Sequence, residues 1–241
     1  MAMASSRTLG LALALLGSVD FRNPPRRYEV RVIGDLNVSI ERQLLQDRPD
    51  VARRALERLA RERNEAIASL PASARAELRA VPFFLMEGPR AREGGRDNGL
   101  EYFKKGAPSF HAELDPRWSH CVVVYHAENY TKLSEIWALK ALVHEFAHEY
   151  QLTRWAEKYP PIFEAWSHAR ALGLYRNVRD DEGKLHDLAY AGVNQLEYFA
   201  ELSCMYFVHC NYPPHDRGEL EAYDPKGAAM VRRLWLGEPA A

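Results

Sequence analysis

Residues 134–152 read SEIWALKALVHEFAHEYQL, and the rest of the chain is best understood outward from them. Trp137, Leu139, Ala141, Leu142 and Val143 make the stretch largely apolar, with Glu135 in its first turn. The pattern predicts a helix from about Ser134 to roughly Leu152. Inside it, His144-Glu145-Phe146-Ala147-His148 puts two imidazoles four residues apart, on one helix face and about one turn from each other. At that spacing they can share a metal ion. Glu145 is rotated around the helix but still points near that face, where a carboxylate can take a proton from metal-bound water. A helical histidine pair can also be a satisfied core pair or an exposed one. Against that reading, two imidazoles and a carboxylate in an apolar helix need partners or a metal.

A catalytic zinc site takes three protein ligands and keeps one position open. The metzincin extension would want Gly at position 151 and His at 154, where this chain has Gln151 and Arg154. The third ligand must therefore come from elsewhere. Residues 194–201 read NQLEYFAE, at the start of a helix expected from Gln195 to about Val208. Glu197 and Glu201 lie one turn apart, as a ligand carboxylate and a second carboxylate holding the free N–H of a ligating histidine would. The spacing equally fits a capping box, with Asn194 as N-cap and Glu197 three residues later, and Glu201 as a solvated charge. The apolar neighbours Leu196, Tyr198, Phe199, Leu202, Met205 and Phe207 favour the metal.

Towards the N-terminus, Tyr28 to Val38 alternates as a half-buried strand ending near Gly34-Asp35. Asp50 to Leu70 is helical by spacing; Arg53, Arg54, Arg61 and Arg63 form a solvated face, and Pro71 stops the helix. Val81 to Met86 is a short strand, and Glu87 to Pro108, with its glycines and charges, is a loop. Cys121 to Tyr125 is the strongest strand signal, β-branched and nearly free of charge. Towards the C-terminus, Pro160-Pro161 opens a helix to about Leu172, Arg176 to Lys184 is a polar loop, and Lys226 to Leu236 is a last amphipathic helix. Strands lie early and helices late with no βαβ alternation, which predicts an α+β fold and no doubly wound sheet.

The 241 residues carry 32 Lys plus Arg against 33 Asp plus Glu, so no global positive field exists to hold nucleic acid. Three cysteines, Cys121, Cys204 and Cys210, make neither a disulfide framework nor a C-x-x-C knuckle. No apolar run approaches the ~20 residues that span a bilayer. Leu9 to Leu16, after Arg7, resembles a short secretory h-region, so residues 1–27 read as a signal peptide or flexible segment before a catalytic domain over 28–241. That implies a secreted, periplasmic or cell-envelope protein, with the cytoplasm as the alternative. His111, His120, His126, His168, His186, His209 and His215 have no metal spacing to one another and read as structural or exposed.

Residues 144–148, together with YAGVNQLEYFAE at 190–201, resemble the catalytic domain of the anthrax lethal factor-like metallopeptidases, gluzincins related to Pro-Pro endopeptidases. The likeness is dense over about 138–208 and weaker across the rest. It implies a zincin-like domain holding one Zn2+ per chain through His144, His148 and Glu197, with Glu145 as general base. It further implies that Tyr190 stabilises the oxyanion or donates a proton, and that Glu201 is the carboxylate behind the ligands. The resemblance does not extend to a toxin-type translocation domain, so a toxin's role and substrate are not expected to carry over. The expected function is zinc-dependent endopeptidase activity on a peptide or protein substrate. A peptidase-like binding protein with a structural zinc is the alternative, although such a protein has no need of Glu145 or Tyr190. In zincins the strand leading to the active helix offers its edge to the substrate, so Val122, Val123 and Val124 are the expected binding strand.

Overall fold

A computed structural model of the chain describes residues 26–87, 99–107 and 115–237. The segment read as a signal peptide lies outside them apart from its last two residues, as does His111. Among the described residues no helix is long and apolar enough to cross a membrane.

The fold is α+β, built on a mixed five-stranded sheet. The strands are β1 (Tyr28–Ile33), β2 (Leu36–Glu41), β3 (Phe83–Leu85), β4 (Leu100–Phe103) and β5 (Cys121–Val124), in the spatial order β1-β2-β3-β5-β4. Strands β2, β3 and β5 run parallel, and the two flanking strands are antiparallel to their neighbours. The parallel β2–β3 pair is joined through α1 (Arg42–Asp47), α2 (Pro49–Ser69) and α3 (Ala72–Ala80). One helical crossover therefore exists where no βαβ alternation was expected, because parallel strands require a long connection.

The alternating run from Tyr28 is a hairpin, not one strand. Gly34 takes φ +62° at the turn, a conformation glycine adopts without Cβ strain. Its first arm is not half-buried: Val30 and Val32 are exposed. Residues 100–103, expected as loop, form the outer strand β4. Short edge strands carry little hydrophobic signal, and the glycines and charges around this one hid it.

Helix α2 keeps Arg53, Arg54 and Arg61 exposed, as expected of a solvated basic face, but departs from it at Arg63. Arg63 is fully buried, and its guanidinium donates to the Asp35 carboxylate at 2.8 Å and the Arg79 carbonyl at 2.6 Å. Arg58, also buried, pairs with Glu62 at 2.8 Å. A guanidinium supplies five donors and can be buried when acceptors surround it, which one-residue hydropathy does not register.

The C-terminal half is helical: α4 (Ala127–Lys132), α5 (Glu135–Arg154), α6 (Pro160–Ala171), α7 (Gln195–Phe207), α8 (Arg217–Tyr223) and α9 (Pro225–Leu236). The expected polar loop at 176–184 and the residues after it form a small hairpin, β6 (Arg176–Arg179) with β7 (Leu185–Leu188). The main core lies between the sheet and the helices. A second cluster of Phe84, Met86, Phe103, Trp118, Val123 and Tyr125 covers the other sheet face. Helices α5 and α7 pack on each other across the main core, and β4 packs beside α5.

Gly227 opens α9 against this core. Its N–H donates to Asp224 at 2.9 Å, and Asp224 also accepts from Tyr198 at 2.6 Å and Tyr175 at 3.0 Å. A Cβ here would press into the Tyr198 hydroxyl and come within 2.5 Å of Leu202 and 2.6 Å of the Asp224 carboxylate. Gly227→Ala is expected to destabilise the protein by about 1–3 kcal/mol, the range for overpacking. At this chain length that lowers Tm by roughly 2–4 °C per kcal/mol. An unchanged melting curve would contradict this packing.

Candidate metal centre

Three of the side chains picked out by the helical spacing converge. Ser134 caps α5 by accepting the Trp137 N–H at 3.2 Å, and the helix then carries Lys140, His144 and His148 on one stripe. Asn194 caps α7 by accepting the N–H groups of Leu196 and Glu197 at 2.8 and 2.9 Å, so Glu197 sits in the first turn. Pairings run from His148 with Glu197 to Lys140 with Glu201, so the two helices are antiparallel. His144 Nε2 lies 3.0 Å from His148 Nε2 and 3.0 Å from Glu197 Oε2, and His148 Nε2 lies 3.3 Å from the same oxygen. Asn194 does cap the helix, but the Glu197 side chain turns to the imidazoles instead of back to the cap.

Behind the imidazoles, Glu201 Oε1 lies 2.8 Å from His144 Nδ1. An Nδ1–H donated there leaves the Nε2 lone pair facing Glu197 and His148. Glu201 is itself buried and fully engaged. Its Oε2 accepts from the Tyr212 hydroxyl at 2.6 Å and pairs with the Lys140 ammonium at 2.9 Å. Lys140 also donates to Asn211 Oδ1 at 2.8 Å.

Charge follows this geometry. Burial works against ionising Glu201, yet the Lys140 ammonium, with the His144 and Tyr212 hydrogen bonds, holds its pKa well below the usual carboxylate range. Glu197 is likewise depressed, its two histidine partners outweighing burial. Burial disfavours a charged His144, but contacts with Cys204, Glu197 and Glu201 outweigh it and raise its pKa. Two anionic carboxylates therefore flank one imidazole and favour positive charge between them. A proton satisfies that demand, and a divalent cation competes for it.

The residues fit zinc. Two ligands ~2.0–2.1 Å from a tetrahedral ion sit about 3.3 Å apart, close to the 3.0–3.3 Å separations of the three donor atoms. Two imidazole nitrogens and one carboxylate are also a donor set zinc accepts. His144, Glu201 and Cys204 form a second possible grouping. The Lys140 ammonium beside Glu201 opposes a cation there, and Glu201 already accepts from His144 Nδ1.

Glu145 is buried, and its Oε2 accepts the backbone N–H of Tyr102 in β4 at 2.6 Å. Burial raises its pKa against the opposing pull of His144 and His148. Tyr190 begins the short 3₁₀ turn Tyr190–Gly192 just before α7. Its ring lies nearly parallel to that of His144, with centroids 5.5 Å apart, and it is half-exposed. Burial and the nearby Glu197 carboxylate push its hydroxyl pKa up, so it carries its proton.

The expected substrate strand needs correction. Val122, Val123 and Val124 are fully buried, with β3 on one side of β5 and β4 on the other. An uninterrupted β-branched run marks an interior strand covered on both faces. The sheet edge beside Glu145 belongs to β4, as the Tyr102 contact shows. Spacing also did not reveal Lys140 or Tyr212. Lys140 had one usable signal, a charge four residues before His144 in an apolar run. Tyr212 had none, because a loop delivers it.

Comparison with protein-family models, curated proteins and solved structures returned no match.

Proposed function

We propose that the chain is a zincin-like peptidase of the gluzincin arrangement, hydrolysing peptide bonds with His144, His148 and Glu197 as zinc ligands. The observation that carries this reading is the meeting of those three donor atoms with Glu145 alongside, at the border of a sheet edge. A bound zinc ion would supply Lewis-acid polarisation of the scissile carbonyl and acidify a water.

The chain's own residues do the rest. Glu145, raised in basicity by burial, accepts a proton from the attacking water and passes it to the leaving amine. Tyr190, protonated and half-exposed beside His144, donates a hydrogen bond to the oxygen on which negative charge develops. Glu201, made anionic by Lys140 and Tyr212, keeps His144 in the tautomer that presents Nε2. The outer edge of β4 is where an extended peptide would add as a further strand. A binding protein with a structural zinc remains the rival, but it has no need of a proton-accepting carboxylate at Glu145, whose hydrogen bond from the Tyr102 N–H an amide would accept as well.

Purified without chelator, the protein is expected to carry zinc at this centre and to cleave a quenched-peptide mixture, with activity lost on chelation and restored by Zn2+. Zinc binding without turnover on any peptide or protein mixture would favour the binding protein. Failure to take up zinc through His144, His148 and Glu197 would remove the assignment altogether.

A further inference from the structure

A second group of metal-type side chains lies outside this centre. Asp181 occupies the turn between β6 and β7, and its backbone N–H donates to the Asn211 carbonyl at 2.9 Å. That bond docks the hairpin tip on the loop after α7. The same loop is closed on itself, with Cys210 N–H donating to the His215 carbonyl at 2.8 Å and His215 Nδ1 lying 2.9 Å from the Cys210 carbonyl. Closure brings His209 and His215 side by side although six positions separate them. Their rings are parallel within 5° at 5.3 Å between centroids.

We propose that Asp181, His209 and His215 bind a divalent transition-metal ion of the zinc, nickel and copper class, independently of the peptidase reading. One donor atom from each lies within 4.8 Å of the other two. A His215 Nδ1–H given to the Cys210 carbonyl fixes the tautomer and leaves Nε2 as a lone-pair donor. The His209 ring has no hydrogen-bond partner among the described residues, and the Asp181 carboxylate, which stands 3.7 Å from His215 Nδ1, would swing towards Nε2 to join the ion. Two imidazoles and one carboxylate suit borderline ions better than calcium or magnesium, which prefer all-oxygen shells. All three residues are reached by solvent, so water can complete the coordination shell.

The ion would have a definite mechanical effect. It would join the β6–β7 hairpin, whose second strand runs into Tyr190, to the loop holding Asn211 and Tyr212. Asn211 accepts from Lys140, while the Tyr212 hydroxyl donates to Glu201 and accepts the Ala191 N–H at 3.1 Å. Occupancy would therefore cross-link the segments that frame the first centre. The competing account is a stacked, solvated histidine pair that binds nothing.

Equilibrium dialysis of the full chain against Zn2+ separates the two accounts. Wild type is expected to take up two equivalents, and the double variant His209→Ala with His215→Ala only one. His148→Ala should retain the equivalent that the double variant loses. Should the double variant fail to fold, Asp181→Asn carries the test, with the second equivalent bound at least ~10-fold more weakly. Uptake of a single equivalent that His148→Ala abolishes would overturn the proposal. So would a second equivalent unaffected by these substitutions. A single equivalent lost only in the double variant would leave this site standing and defeat the assignment at His144, His148 and Glu197.

Discussion

Glu145→Gln is expected to retain zinc at the first centre while losing nearly all hydrolysis. The amide is isosteric with the carboxylate, and its carbonyl oxygen can still accept the Tyr102 N–H that Glu145 now accepts at 2.6 Å. The β4 edge and α5 therefore keep their spacing. None of the three ligand atoms belongs to residue 145, so the metal has no reason to leave. What disappears is a group that can take and return a proton. General-base catalysis is typically worth 10²–10⁴-fold, and kcat should fall by about that factor with zinc content unchanged. A variant retaining more than about a tenth of the wild-type rate would contradict the assigned role. Loss of zinc together with activity would mean that Glu145 supports the metal instead of acting on substrate.

The two helices that build the first centre were legible because their signals are local. Four-residue spacing decides which side chains share a face, and Asn194 marks the start of the second helix without reference to the rest of the chain. The strands were legible where alternation or a β-branched run marked them, at β1 on one edge as well as in the interior. The β-branched run in β5 announced burial, but burial on both faces is the opposite of an open edge, so the inference from strong strand to substrate strand failed. The true edge, β4, is short and set among glycines and charges. Arg63 and Lys140 were misread or missed for a common reason: a buried cation depends on acceptors brought from distant segments, here Asp35 and Arg79 for one and Glu201 and Asn211 for the other. The His209 and His215 pairing depends on loop closure in the same way.

A pair of substitutions separates holding the metal from stabilising the transition state. Glu197→Ala removes the only anionic donor among the three converging atoms, leaving two imidazoles 3.0 Å apart. Zinc affinity at this centre and activity should fall together, and added Zn2+ should restore part of the activity. Tyr190→Phe deletes one hydroxyl and keeps the ring that lies over His144 at 5.5 Å, so the imidazole keeps its packing. In the proposed mechanism the hydroxyl acts mainly on charge that develops during reaction. Zinc content and KM should then stay nearly unchanged while kcat drops by roughly 10²–10³, the scale for losing one oxyanion donor. A Tyr190→Phe protein that turns over normally would reduce Tyr190 to packing. A Glu197→Ala protein that holds zinc as tightly as wild type would reduce Glu197 to a residue of the helix start. Glu201 could then act as third ligand only by giving up the Lys140 ammonium and the His144 Nδ1–H, a rearrangement that Lys140→Met would make easier and that zinc affinity in the double variant would reveal.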